Sequence, residues 1–416
     1  MPFILFLSTQ ITYKRFLILW AVVGLLLTDS WVAVHYSALC MFWEYVIGSI
    51  ALVSFIISLL VNRSNFRFQV SLCEVLIILY LALAVFSGII HHSAFFTYNI
   101  SRVAIPLGFG LSYIYAFSRK DWKYIIYGLM LFGMVNVVMS YWIYFSGVFN
   151  VETPFPVSAL YGNRNDFAKY LSIVSVYFLI ELLVQKKKGL KLFYGIFLIV
   201  IFGAILIQYS RSGYIVYFIS STAVIFLCGS KSVKRVALII LPVILALFIY
   251  FTMVRIQSDK MNIANGSDLG RLYVLRAGIN MIKAHPVLGI GYGMSQTKNG
   301  EYAVKSLPGL KGLTAIHNWY VVVWAEMGIL GLVVFCALNY TLMHKSIRRF
   351  FKLGLFDGKQ SLFVFNSLLI LVIEAFVQPI SDYQDIYWII VAIGVIDIKS
   401  EKNYQNVKAL RVVEQG

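Results

Sequence analysis

Apolar residues in this chain fill long uninterrupted runs separated by short polar joints. A run of about 20 apolar residues is what an α-helix needs to cross the hydrocarbon core. Inside a bilayer only a helix or a closed barrel can satisfy its own backbone. Twelve runs are predicted as spans, at roughly 16–34, 41–61, 70–90, 100–117, 122–148, 167–184, 192–207, 213–228, 236–252, 318–342, 361–378 and 386–398. The expected fold is therefore all-α: a polytopic membrane helical bundle of about twelve transmembrane helices. One long, partly helical loop is expected between spans nine and ten. The chain divides accordingly into spans one to nine (1–252), the loop (253–317), spans ten to twelve (318–398) and a tail (399–416).

Composition sharpens this reading. Of 416 residues, 60% are hydrophobic and 13% charged, against about 45–50% apolar and about 25% charged in ordinary soluble domains. A soluble globular enzyme, a disordered chain and a coiled coil are all excluded. The net charge of +17 would suggest nucleic acid in a soluble protein, but here its position along the chain decides. Basic residues crowd alternate joints: Lys14/Arg15, Arg63/Arg67, Arg119/Lys120/Lys123, Lys186 to Lys191, Lys231/Lys234/Arg235, Lys345 to Lys359, and Lys399 to Arg411. Joints such as 91–99 and 379–385 are nearly free of them. By the positive-inside rule both termini are expected in the cytoplasm. The expected partner is the bilayer, and no nucleic acid is expected. Cys40, Cys73, Cys228 and Cys336 show neither a disulfide pattern nor zinc spacing, so no metal is expected. The first apolar run follows Lys14 and Arg15 without a small-residue cleavage site, and is expected to be an uncleaved span.

The basic residues that break this pattern carry the candidate chemistry. Gln208-Tyr-Ser-Arg-Ser-Gly213 joins two apolar stretches of about 15 residues. Each covers only about 22 Å of the roughly 30 Å hydrocarbon core. Arg211 is then held in a polar recess below the outer surface, where a cation needs water or an anion. The alternative is an arginine snorkelling to headgroups. In the loop, Asp268 to Ala284 is predicted as a helix stopped by Pro286. Its apolar stripe is Leu272, Leu275, Ile279 and Ile282; its polar face holds Arg276, Asn280 and Lys283. Arg271 falls in the first turn, where the helix dipole disfavours a cation. It is either an anion ligand or a surface arginine covering apolar atoms with its stem. Gly289-Ile-Gly-Tyr-Gly293 permits a tight turn, but does not match a nucleotide loop.

His317-Asn318 starts the tenth span. Its imidazole can take a proton from a sugar hydroxyl near neutral pH, and Asn318 can orient a polyol. A structural histidine at a membrane interface is the competing reading. Glu326 is too far along the helix to orient His317. Arg164, in Gly162-Asn-Arg-Asn-Asp166, and Arg102, in Asn99-Ile-Ser-Arg102, open spans six and four; their neighbours also suit helix caps. Arg102, Arg164, Arg211, Arg271 and His317 all map to the outer face. Several arginines without paired carboxylates suit a concentrated negative charge such as a diphosphate, because the guanidinium fork holds phosphate oxygens bidentately.

These residues, in this order, resemble the O-antigen polymerase/O-antigen ligase family. The pattern comprises Gly162-Asn-Arg-Asn-Asp-Phe-Ala168, Ser210-Arg-Ser212, and Arg271 followed by a helix into Pro286-Val-Leu-Gly-Ile-Gly-Tyr-Gly293. His317-Asn318 and Glu326-Met-Gly-Ile-Leu-Gly331 complete it. The resemblance implies an inner-membrane glycosyltransferase working on the periplasmic face with an undecaprenyl-diphosphate-linked glycan and no cofactor. It assigns His317 as general base and Arg211 and Arg271 as diphosphate binders. Arg164, Arg102, Asn318 and Arg276 are substrate-binding candidates, and either Arg271 or Arg276 meets the diphosphate. A chain-length regulator is implied as a partner. Polymerase is preferred, ligase acting on the lipid A core is the alternative, and an exporter or flippase is the third reading. A twelve-span transporter of two halves would show internal symmetry, and none is found.

Overall fold

The computed structural model describes residues 70–93, 122–146, 159–161, 163–261, 267–303, 315–377 and 385–413, and isolated positions at 22, 23, 26, 46, 100, 103–106, 108 and 110. The helices are α1 (Leu72–Ile90), α2 (Trp122–Phe145), α3 (Arg164–Val184), α4 (Lys188–Leu206), α5 (Arg211–Cys228) and α6 (Lys231–Met261). They continue with α7 (Ser267–Ala284), the single turn α8 (Asn299–Tyr302), α9 (Trp319–Asp357), α10 (Lys359–Glu374) and α11 (Asp385–Val413). No strand occurs among the described residues. Among them, α1 to α6 and α9 are long and apolar enough to cross a membrane. The chain is a multi-pass helical membrane protein. The spans predicted at 16–34, 41–61 and 100–117 fall outside the described residues, apart from isolated positions.

Packing divides the bundle into an inner and an outer set. α3 is mostly buried and lies against α4, α5 and α10; α9 lies against α1, α7, α10 and α11. α4 and α6 carry fully presented apolar side chains such as Ile199 and Ile239, each 72% exposed. In water these would be costly; in a bilayer acyl chains cover them.

Two elements differ from their predicted extents. α6 runs on to Met261, so part of the predicted loop is helical. The tenth span, predicted at 318–342, is a 39-residue helix broken at Gly328 and Gly354, which sit at φ 72° and 75°. Hydropathy ends where the apolar run ends, whereas backbone hydrogen bonding continues through polar residues. Only glycine adopts such breaks without strain.

Buried and partly buried ion pairs tie one end of the bundle. Lys359 Nζ lies 3.0 Å from Glu181, Arg349 Nε 3.1 Å from Asp397, and Lys399 meets Glu74. Ser361 also donates to Asp397, and Glu74 closes a capping box with Ser71 at the start of α1. α3 and α9 finish here while α1 and α10 begin here, alongside the Lys/Arg-rich joints. Charge and fold therefore mark the same end.

Candidate functional site

At the opposite end, the starts of α3, α5 and α9 meet the end of α10. Each start has a polar cap. Asn163 Oδ1 accepts the Asn165 N–H at 2.9 Å, Ser210 Oγ accepts the Gly213 N–H at 3.1 Å, and Asn318 Oδ1 accepts the Val321 N–H at 3.1 Å. Arg164 and Arg211 are thus the first helical residues of α3 and α5. Two cations stand where exposed helix N–H groups favour anions.

Side chains then stitch these ends together. Ser210 Oγ donates to Asn165 Oδ1 at 2.7 Å, joining α5 to α3. Ser212 Oγ donates to Glu374 Oε1 at 2.9 Å, joining α5 to α10. The next residue, Ala375, accepts the Trp319 N–H at 2.8 Å, and Asn318 Nδ2 donates to Phe376 O at 3.4 Å, joining α10 to the start of α9. Arg164, Arg211, His317 and Asn318 therefore adjoin one continuous network. Gly213 permits it: a Cβ there would stand 2.4 Å from Ala168 Cβ. Asn318 is engaged as a helix cap, with both ends of its side chain bonded. His317 sits immediately before it and is partly exposed.

Arg271 and Arg276 separate onto different sides of α7. The buried face of that helix comprises Gly270, Val274, Ala277, Gly278 and Met281; of the predicted stripe, Leu275 and Ile282 are half-buried against the core. Leu272 and Ile279 are 43% and 39% exposed. Small residues bring α7 close: a Cβ on Gly278 would come within 2.8 Å of Ile316 and Val321. Arg271 lies seven residues before Gly278 and so nearly on the same side. Arg271 is half-buried, whereas Arg276 is exposed. Arg102 lies outside the described residues.

Arg211 also closes one end of an apolar groove of about 480 Å³ between α5 and α6, lined by Tyr214, Phe218, Leu245, Phe248 and Met253 among others. Tyr214 and Phe248 stack there with ring centroids 4.6 Å apart.

The glycine loop after α7 docks into the break in α9. Gly289, Gly291 and Gly293 all have positive φ. Ile290 N–H donates to Ala325 O at 2.8 Å and Gly291 N–H to Glu326 O at 3.2 Å; the Glu326 carboxylate accepts Gly293 N–H at 2.9 Å and Ser295 N–H at 3.1 Å. In return Ile329 N–H and Trp324 Nε1–H donate to Pro286 O. These loop amides are spent on protein acceptors, so the loop is a structural clasp and not a phosphate cradle.

Residues 195–336 match the family model described as O-Antigen ligase. The match runs from α4 into α9 and takes in Arg211, Arg271, His317, Asn318 and the glycine clasp. It supports the O-antigen polymerase/ligase family and, with it, a membrane enzyme that transfers glycans. No curated protein matches the chain.

Sequence reasoning missed two members of this end of the bundle. Glu374 is fully buried beside Ser212, and Lys169, 1% exposed, pairs with Asp166 at 2.9 Å. Each reads in sequence as one polar residue within an apolar helix. An ionisable residue inside a predicted span was the available signal. Glu326, set aside in the sequence as too distant to orient His317, turns its buried carboxylate to the loop.

Proposed function

We propose that this protein is a glycosyltransferase polymerising undecaprenyl-diphosphate-linked repeat units of O-antigen or a related surface polysaccharide. It would work on the periplasmic face of the inner membrane, with both termini in the cytoplasm. The prenyl tail occupies the groove between α5 and α6. Its diphosphate meets Arg211, with Arg271 completing the clamp and Arg164 and Arg102 assisting. His317 takes the proton from the acceptor hydroxyl, whose oxygen attacks the anomeric carbon of the donor. The bond from that carbon to the phosphate oxygen breaks, and its electron pair leaves with undecaprenyl diphosphate. Fixed guanidinium groups stabilise the charge that develops there. Attack opposite the leaving group inverts the anomeric centre.

The observation carrying this reading is Arg211 itself. It stands at the mouth of an apolar groove and at a helix start, and its neighbour Ser212 is bonded through Glu374 to the chain beside His317. A cation at a helix start gains nothing from the helix dipole, but an anion at that point gains from both.

The test is reconstitution of the purified chain with a lipid-linked repeat unit in EDTA, reading glycan length on a gel. The expected result is a ladder with wild type. His317→Ala and Arg211→Ala should lower the rate by about 10²–10³. Wild-type ladders from either variant would remove its assigned role. The description of the matched family favours a second reading, transfer to the lipid A core as a ligase. A deletion strain distinguishes them: loss of a polymerase leaves single repeats on the core, and loss of a ligase leaves bare core.

A further inference from the structure

We infer that α7 is an interfacial helix, lying in the headgroup layer of the leaflet on the site's side and binding anionic lipid there. This follows from the exposed face of α7 and not from the reaction proposed above. On a helical wheel Leu272, Arg276, Ile279 and Lys283 fall within about 60° of one another. All four are exposed. They lie opposite Val274, Ala277 and Met281, which are buried against the bundle. The face alternates a large apolar residue with a cation along its whole length. That is the composition that seats a helix between acyl chains and anionic headgroups.

Continuity with the lipid-facing surface identifies the occupant. Directly after α7, Val287 and Leu288 are also exposed. The clasp fixes them beside the break in α9, since Ile329 N–H bonds to Pro286 O and Val287 O lies against Gly328. Immediately beyond that break the spanning helix α9 presents Leu330 and Val333 to the outside. At the same junction Ser87 of the spanning helix α1 donates to Glu326 O at 2.6 Å, and its neighbours Phe86, Ile89 and Ile90 are exposed. Exposed apolar residues thus continue from two membrane-spanning helices to the chain directly after α7. Trp324, whose indole N–H holds Pro286 O at 3.1 Å, marks the level; tryptophan is enriched at the membrane–water boundary. Arg276 belongs to this lipid face, whereas Arg271 falls on another side of α7.

The full chain, with its four native cysteines replaced by serine, tests this in vesicles of phosphatidylcholine and phosphatidylglycerol. An environment-sensitive fluorophore is attached through Ile279→Cys, independently through Leu272→Cys, and through Glu301→Cys on the exposed turn α8 as comparison. The expected result is blue-shifted emission at 272 and 279, with strong quenching by lipids carrying a nitroxide near the headgroup. Iodide quenching should be weak at 272 and 279 and strong at 301. Equal iodide quenching at all three would overturn the proposal. So would sites shielded from both quenchers, the result expected if a second copy or another protein covers the face. The charge component has its own readout. Nitroxide carried on phosphatidylglycerol should quench position 279 more than the same label on phosphatidylcholine. Arg276→Gln and Lys283→Gln should each reduce that preference about fivefold. No preference in the unsubstituted chain would overturn the anionic-lipid assignment.

Discussion

Replacing Glu326 isolates the bonds that hold the glycine clasp in the break of α9. The carboxylate is 2% exposed and accepts the Gly293 and Ser295 N–H groups at 2.9 and 3.1 Å. A hydrogen bond to a charged acceptor contributes about 1.5–3 kcal/mol. Glu326→Ala removes two and strands both donors, which weakens loop docking by about 3–6 kcal/mol if the site stays dry. Glu326→Gln keeps one acceptor oxygen and turns an NH₂ toward the other donor, so about half that loss is expected. Hydrogen exchange followed by mass spectrometry over 286–298 measures it directly. At 1.4 kcal/mol per factor of ten, exchange of the clasp amides should speed up by at least about 100-fold in Glu326→Ala and less in Glu326→Gln. The segment 211–228 should be unchanged in both. Unchanged protection of Gly293 and Ser295 in the alanine variant would refute the reasoning, because their N–H groups would then have other acceptors.

Other perturbations probe the remaining supports. Gly328→Ala forces a side chain into a backbone conformation at φ 72° and places its Cβ 1.8 Å from Val287 O; thermal unfolding in detergent should show a large loss, with the clasp newly open to protease. Arg349→Ala leaves Asp397 buried without its cation, at a cost of about 3–5 kcal/mol. Pairing it with Asp397→Ala should recover part of this in the same melting assay, and additive losses would contradict the pair. His91, beyond the end of α1, has its pKa lowered from 6.5 by burial, then by Lys298 and His285. The unfolded chain therefore binds its proton first, so stability should fall as pH drops below about 6.5. His91→Gln should flatten that part of the pH–melting curve.

The sequence determined that this is a helical membrane protein and which end carries the excess positive charge. Both follow from one-dimensional quantities: an apolar run long enough to cross hydrocarbon, and a count of Lys and Arg in each joint. It also determined the helix predicted over Asp268–Ala284, found at Ser267–Ala284, and a tight turn within Gly289–Gly293, since local backbone preference acts within a few residues. Tertiary structure decided what those parts face. Leu272 and Ile279 of the predicted α7 stripe are exposed because the helix turns Gly278 to Ile316 and Val321, where a larger residue could not fit, an outcome set by the partner's surface. Glu374, Lys169 and Glu326 gained meaning only when Ser212, Asp166 and the clasp were brought to them from other helices. A buried carboxylate or ammonium is recognised by its partner, and here several of the partners lie far away along the chain.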